Sequence, residues 1–278
     1  MVESKFTRRR ALATLAGTGA AAAAPPWAPA RADLDAGVPG VCVLTPQQIE
    51  GPYYSDPGLV RTDIREDREG IALRLSLQVV DAGSCAPIAG ARVDVWHADA
   101  LGYYSGYQGQ SDGRNVSTVG KTFLRGIQMT DGAGDVGFDT IYPGWYRGRT
   151  AHIHFKVFLD RKSVLIGQLY FPDALSEYIY TKIPPYSRRV ERDTINKTDM
   201  VLMMGHRDPH QAFCRIKEEA DCYWASLVLG VDRAATPTAG PPGPPPGIGN
   251  GPPPDFAGPR RPQDAAALVP PLVTTSRR

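Results

Sequence analysis

His152-Ile-His154 is the tightest pairing of chemically competent side chains in this 278-residue chain. It stands inside an alternating run, His152–Leu159, that reads as a β-strand. On a strand, residues i and i+2 leave the same face, so both imidazoles point one way. Two convergent imidazoles suit a transition metal and equally suit a buried, hydrogen-bonded pair; the spacing alone does not choose. Tyrosines crowd the flanking segments. Leu101-Gly-Tyr-Tyr104-Ser-Gly-Tyr107 lies upstream, and Ile141-Tyr-Pro-Gly-Trp-Tyr146-Arg-Gly-Arg149 leads into the histidine strand through a tight Pro/Gly turn. His97, after Trp96 on an apolar strand, reads as a satisfied core histidine. His206 and His210 have i, i+4 spacing, but Pro209 between them spoils a continuous helix, so they read as loop residues.

The elements that must position these groups are mostly strands. Ile71, Leu73, Leu75, Leu77 and Val79 alternate with Ala72, Arg74, Ser76 and Gln78, the period-two signature of a half-buried strand. Ala91–His97 repeats the pattern after a turn. Phe123–Thr130 and Val136–Ile141 flank Asp131-Gly-Ala-Gly-Asp135, which reads as a hairpin. Val164–Phe171 follows the histidine strand, Tyr223–Val231 reads as a closing strand, and Met200, Met203 and Met204 read as strand or core filler. Short strands with Gly, Pro and Asp punctuation predict an all-β, antiparallel sandwich. Loops remain at 102–122 and 172–199, long enough to carry function or cover a site.

Composition bounds the class. The apolar fraction of 42% and charged fraction of 22% are those of a globular protein. The net charge of +2 owes its sign to Lys5, Arg8, Arg9, Arg10 and Arg31, and the remainder is slightly acidic, so no basic face for nucleic acid is implied. No run reaches the roughly 18 apolar residues of a transmembrane helix. Residues 1–32 read as an export signal: Thr7-Arg-Arg-Arg-Ala-Leu12, a weakly apolar Ala/Gly run, then Ala30-Arg-Ala32 as a cleavage site. The paired arginines before a mild apolar stretch resemble a twin-arginine signal, placing the protein in the periplasm or outside the cell. Residues 235–278 hold half of the chain's 26 prolines and read as a disordered or polyproline-like tail, leaving 33–234 as the one folded domain. In an exported protein the four cysteines favour disulfides. Cys42 with Cys85 and Cys214 with Cys222 is one of three possible connectivities.

Taken in order, these motifs resemble the intradiol ring-cleavage dioxygenases, the family of catechol and protocatechuate 3,4-dioxygenases, and most of all its exported single-domain members. The similarity runs from Leu44-Thr-Pro-Gln-Gln-Ile-Glu-Gly-Pro-Tyr-Tyr54 to about Tyr223. It implies one non-heme Fe(III) per chain, held by Tyr104, Tyr146, His152 and His154. It also implies that Arg149 and Gln168 act beside Tyr146 in catalysis, and that the Glu50–Tyr54 arm closes over the cavity. Tyr103, Tyr107 and Tyr142 are expected as packing or pocket wall. The stretch from Tyr146 to His152 is short compared with protocatechuate 3,4-dioxygenase subunits, which bears on pocket shape and so on substrate.

The donor set suits the ion. Fe(III) is hard and favours anionic oxygen, and two phenolates with one hydroxide cancel its three charges. The resemblance implies a catechol-type substrate and O₂. It further implies that Tyr146 takes a substrate proton and leaves the metal, that oxygen enters between the two hydroxylated carbons, and that a cis,cis-muconate is released. Two other classes share parts of this pattern. A cupin also offers H-x-H, but wants a glutamate shortly after the second histidine, and Phe155–Leu159 contains no acid. A non-catalytic prealbumin-like binding module shares the strand and turn pattern, but lacks the Tyr/Tyr/His/His set. The sequence leaves the particular catechol and the oligomeric state open, a homodimer included.

Overall fold

The computed structural model describes residues 42–204 and 209–237. The readings of 1–32 as a signal and of the His206–His210 pair lie outside the described residues, as does the reading of 235–278 as a tail from residue 238 on. Among the described residues eight strands form two four-stranded sheets. In chain order they are β1 (Ala72–Asp81), β2 (Arg92–Trp96), β3 (Arg125–Met129), β4 (Asp135–Ile141), β5 (His152–Leu159), β6 (Lys162–Tyr170), β7 (Arg215–Glu218) and β8 (Tyr223–Val231). One sheet has the order β4-β1-β8-β7 and the other β3-β2-β5-β6. The expected all-β sandwich is therefore present. Its pairs are antiparallel except for β1 with β8, which run parallel.

Alternation builds the core. Leu73, Leu75, Leu77 and Val79 of β1 and Ile153, Phe155 and Val157 of β5 meet between the sheets. Each such side chain removed from water contributes about 1.5–3 kcal/mol. Gly167 of β6 lies opposite Phe155, and a Cβ there would stand 2.4 Å from the ring. A glycine at that point lets the phenyl ring lie flat on the neighbouring strand.

Four expectations need correction. The segments flanking Asp131–Asp135 are not a hairpin, because β3 and β4 belong to different sheets. Asp131 Oδ1 accepts from the Ala133 and Asp135 amides, and Gly134, at φ +79°, passes so near Val79 O that a Cβ would meet it at 2.5 Å. That corner carries the chain from one sheet to the other. Met200–Met203 is neither strand nor core: it is a short helix, α2, and Met200, Met203 and Met204 are exposed. The loop 172–199 contains a helix, α1 (Asp173–Lys182). Finally, Cys42 and Cys85 form a disulfide with Cα atoms 5.3 Å apart, but Cys214 and Cys222 are free thiols. In the β7–β8 register Glu218 faces Tyr223 and Arg215 faces Ser226, so Cys222 sits at the turn and Cys214 at the far end of the hairpin. At about 3.3 Å per residue the two lie well beyond the 7 Å limit for Cα atoms of a disulfide.

Candidate metal centre

The outer face of the β3-β2-β5-β6 sheet carries the polar residues that the core excludes. In the ladder, His154 lies between Trp96 of β2 and Gln168 of β6, and His152 lies beside Tyr170. The Trp96 ring stacks on His154 at 4.7 Å and 14°. Both histidines are buried, because loops between strands cover this face.

Those loops bring the tyrosines. The segment after β2 carries Tyr104, whose amide donates to Gln110 Oε1 at 2.9 Å and whose carbonyl accepts from Thr118 Oγ1 at 2.6 Å. The segment after β4 carries Tyr146 and Arg149 at the ends of a turn, closed by Arg149 N to Tyr146 O at 3.1 Å. Gly148 holds φ +78° at its third position, as a type II turn requires. The two segments touch backbone to backbone: at Gly102, φ +85°, a Cβ would meet Trp145 O at 2.2 Å. From the arm 42–71, Tyr53 stacks on Tyr104 at 4.4 Å, and Tyr54 donates to Asp94 Oδ2 at 2.9 Å. Lys156 pairs with Glu50 and lies over the Tyr54 ring, so the arm is clamped onto the site.

Four side chains converge on one point. Tyr104 OH is 3.1 Å, Tyr146 OH 3.3 Å and His154 Nε2 3.2 Å from His152 Nε2. His152 Nδ1 lies 2.7 Å from Thr150 O, which can only accept, so Nδ1 carries the proton and Nε2 presents a lone pair. Three polar groups around one lone pair are more than it can satisfy. His154 Nδ1 is in addition buried without a hydrogen-bond partner. Separations near 3.2 Å fall in the range spanned by donor atoms about 2.1 Å from a common centre. Among the described residues no three His, Cys, Asp or Glu side chains gather in this way, and the cluster depends on its tyrosines.

Burial sets the charge of these four groups. Burial, reinforced by Arg149, pushes the His152 imidazole down to about 3, and burial with His152 beside it holds His154 well below its ordinary value. Both are therefore neutral imidazoles near pH 7. Burial also raises the Tyr104 and Tyr146 hydroxyls, so by themselves they keep their protons, and a nearby multivalent ion reverses that preference.

Arg149 and Gln168 lie at the edge of this cluster. The guanidinium donates from Nη1 to Tyr146 OH at 3.4 Å, and from Nη2 to Gln168 Oε1 and to Tyr170 OH. Its Nε donates to Asp199 Oδ2 at 2.9 Å. Burial alone would lower the guanidinium; Asp199 and the surrounding tyrosines raise it above its usual value. Asp199 and Tyr170 went unrecognised in the sequence. For Asp199 a signal existed, an Asp immediately before an apolar run, which is a helix N-cap pattern. His97 is, as expected, a satisfied core residue, with Nδ1 2.9 Å from Ala98 O and Nε2 2.7 Å from Thr140 Oγ1. Tyr142 is core and bonds Ser176, Tyr107 donates to Tyr54 O, and Tyr103 lines a small cleft beside Tyr146.

A family model described as Dioxygenase matches residues 46–213, which include the whole cluster. The chain belongs to the intradiol ring-cleavage dioxygenase family. Among solved structures, an intradiol ring-cleavage dioxygenase from Tetranychus urticae is 32% identical. It superposes with a TM-score of 0.64 over 70% of this chain and 97% of that one. Catechol 1,2-dioxygenase of Acinetobacter baylyi is 28% identical over 162 residues, half of each chain. The protocatechuate 3,4-dioxygenase beta chain of Burkholderia cepacia is 34% identical over 143 residues, 46% of this chain and 59% of that one. The chain thus spans about half the length of the curated relatives it matches. This intradiol family member carries its convergent Tyr/His cluster inside the matched segment, at the loop-covered face of one sheet.

Proposed function

We propose that this chain is an Fe(III)-dependent dioxygenase that cleaves a catechol-type ring with O₂ between its two hydroxylated carbons, giving a cis,cis-muconate-type diacid. The observation that carries the reading is the convergence of Tyr104, Tyr146 and His154 on the lone pair of His152, at 3.1–3.3 Å. Tyr104, Tyr146, His152 and His154 would hold one iron per chain. Fe(III), when bound, supplies a Lewis acid that draws electron density from the catechol oxygens and the ring.

The chain's own residues do the rest. Tyr146, as a phenolate, is the base that takes a proton from the entering catechol. Arg149 faces the Tyr146 oxygen with Nη1, so its charge lies beside that atom in either protonation state. The same charge stabilises the anion that develops on the substrate as oxygen attacks. Gln168 accepts from Nη2 and donates to Ile49 O at 3.2 Å, tying the guanidinium to the arm. Tyr53 and Trp96 pack on Tyr104 and His154 and keep water from the ligand atoms.

The test is direct. Protein loaded with Fe(III) should be red-brown from tyrosinate-to-metal charge transfer and should consume oxygen with catechol, protocatechuate, hydroxyquinol or a chlorinated catechol. Protein that stays colourless after loading ends the reading. We further propose export through the twin-arginine pathway, on the pattern of residues 1–32. The Cys42–Cys85 disulfide supports an oxidising compartment. Replacing Arg8 and Arg9 by Lys should retain the protein in the cytoplasm, and unchanged export of that variant overturns the proposal.

A further inference from the structure

Arg149 and Arg125 are both buried arginines, yet only one of them has a carboxylate. Arg125 donates from Nε to Ser105 Oγ and from Nη2 to Ser105 O, both at 2.8 Å, and burial pushes it down to about 10. Arg149 has Asp199, and that aspartate is more than a counter-ion. Asp199 is fully buried, and its carboxylate is fixed on three sides. Oδ1 accepts from Leu202 N at 3.0 Å as the N-cap of α2, and Oδ2 accepts from Thr150 N and Arg149 Nε, each at 2.9 Å.

Two of those three donors, Arg149 Nε and Thr150 N, come from the last residue of the turn that carries Tyr146 and the residue after it. The carboxylate engages the guanidinium at Nε. Both Nη groups are thereby left facing Tyr146, Gln168 and Tyr170. A planar guanidinium held at Nε cannot rotate its fork away from the cluster without breaking a charge-assisted bond in a dry interior. The carboxylate and guanidinium charges cancel, so the arginine remains charged at the site without leaving a net buried charge.

We infer that Asp199 is the positioning residue for Arg149: from the segment before α2 it aims the guanidinium at the Tyr146 oxygen and at the substrate charge beside it. This rests on the reading of the centre as an iron dioxygenase for its effect on rate, but not for the contact itself.

The test uses the full-length protein, with Asp199→Asn, Arg149→Gln and the double variant. Asp199→Asn should retain iron and the charge-transfer band, keep KM for catechol within about threefold, and lower kcat about 100-fold. In the Arg149→Gln background the same change should lower kcat by less than about twofold, because the effect passes through the arginine. A second readout needs no iron. In the metal-free protein the Arg149 Nε–H resonance should exchange slowly with water, and Asp199→Asn should make it exchange fast. If Asp199→Asn does not accumulate folded, Asp199→Glu carries the same comparisons. Wild-type kcat in Asp199→Asn, loss of iron and colour along with activity, an equal proportional loss in both backgrounds, or an unchanged Nε–H exchange each overturns the inference. Absent oxygen uptake by the wild type would instead sink the dioxygenase reading, and the exchange experiment would still decide the role of Asp199.

Discussion

Two buried histidine regions lie on paired strands of one sheet and behave in opposite ways. His97 sits at the end of β2 and reaches across to Thr140 on β4, so it links the two sheets. His152 and His154 sit on β5, on the far side of the same sheet from the core. All three are buried, and burial is the first cause that holds each imidazole below its ordinary value. Burial and a lowered pKa therefore do not separate a structural histidine from a functional one. Partner inventory does. His97 has a hydrogen-bond partner for each ring nitrogen, whereas His152 and His154 face each other nitrogen to nitrogen with two phenols against them.

The largest effect that tests this contrast is on activity. His154→Ala or Tyr104→Phe should lower oxygen uptake by roughly 10³-fold or more and remove the visible band, since an open metal site loses a ligand or its charge balance. His97→Gln should keep iron, colour and a rate within a few-fold of wild type. Bleaching by His97→Gln would erase the distinction between the two regions.

The next effect is on stability against pH. His97 titrates near 4 in the folded protein, against an ordinary value of 6.5. The unfolded chain therefore takes up the proton first, so stability is full above about pH 6.5 and falls as pH drops toward 4. Over that window this one group contributes roughly 3 kcal/mol. Urea unfolding of the metal-free protein should show the decline, and His97→Gln should make it shallower. An unchanged slope would mean that His97 is already protonated or not buried.

The contrast also explains what was legible in the sequence. Strand alternation and the i, i+2 histidine spacing are local, so β1, β2, β5 and the shared face of His152 and His154 could be read directly. The family motifs point to Tyr104 and Tyr146, whose hydroxyls lie against His152 Nε2. Features fixed by register or by distant partners could not be read. Nothing local in Asp131–Asp135 says that the corner changes sheets, and nothing in the spacing of Cys214 and Cys222 says that a hairpin holds them apart. The β1–β8 pair is parallel because the closing strand enters from the end opposite to a hairpin partner, which is a property of the whole path. Asp199 looks like an ordinary N-cap in sequence; only burial beside Arg149 distinguishes it.

Metal removal sharpens the comparison further. A cation that binds only the folded state stabilises it by about 2.7 kcal/mol when free metal stands at 100 times Kd. Chelation should lower Tm in the wild type and in His97→Gln by the same amount, and should not lower it in His154→Ala. A chelation effect that survives in His154→Ala would place the metal elsewhere.

The smallest effect comes from making His97 resemble His154. His97 Nδ1 lies against the Ala98 carbonyl, so it carries the proton, and Nε2 accepts from the Thr140 hydroxyl. Thr140→Val keeps the shape of the side chain and removes that donor, leaving Nε2 buried without a partner. The cost is about 1–3 kcal/mol of stability, read by urea unfolding, with activity nearly unchanged. The variant should still bind one iron per chain, because an unsatisfied nitrogen is a vacancy for one hydrogen bond and not a ligand set. A second equivalent of tightly bound iron in Thr140→Val would show that a lone unsatisfied histidine is enough, and that the convergence of four donors is not what makes the metal centre.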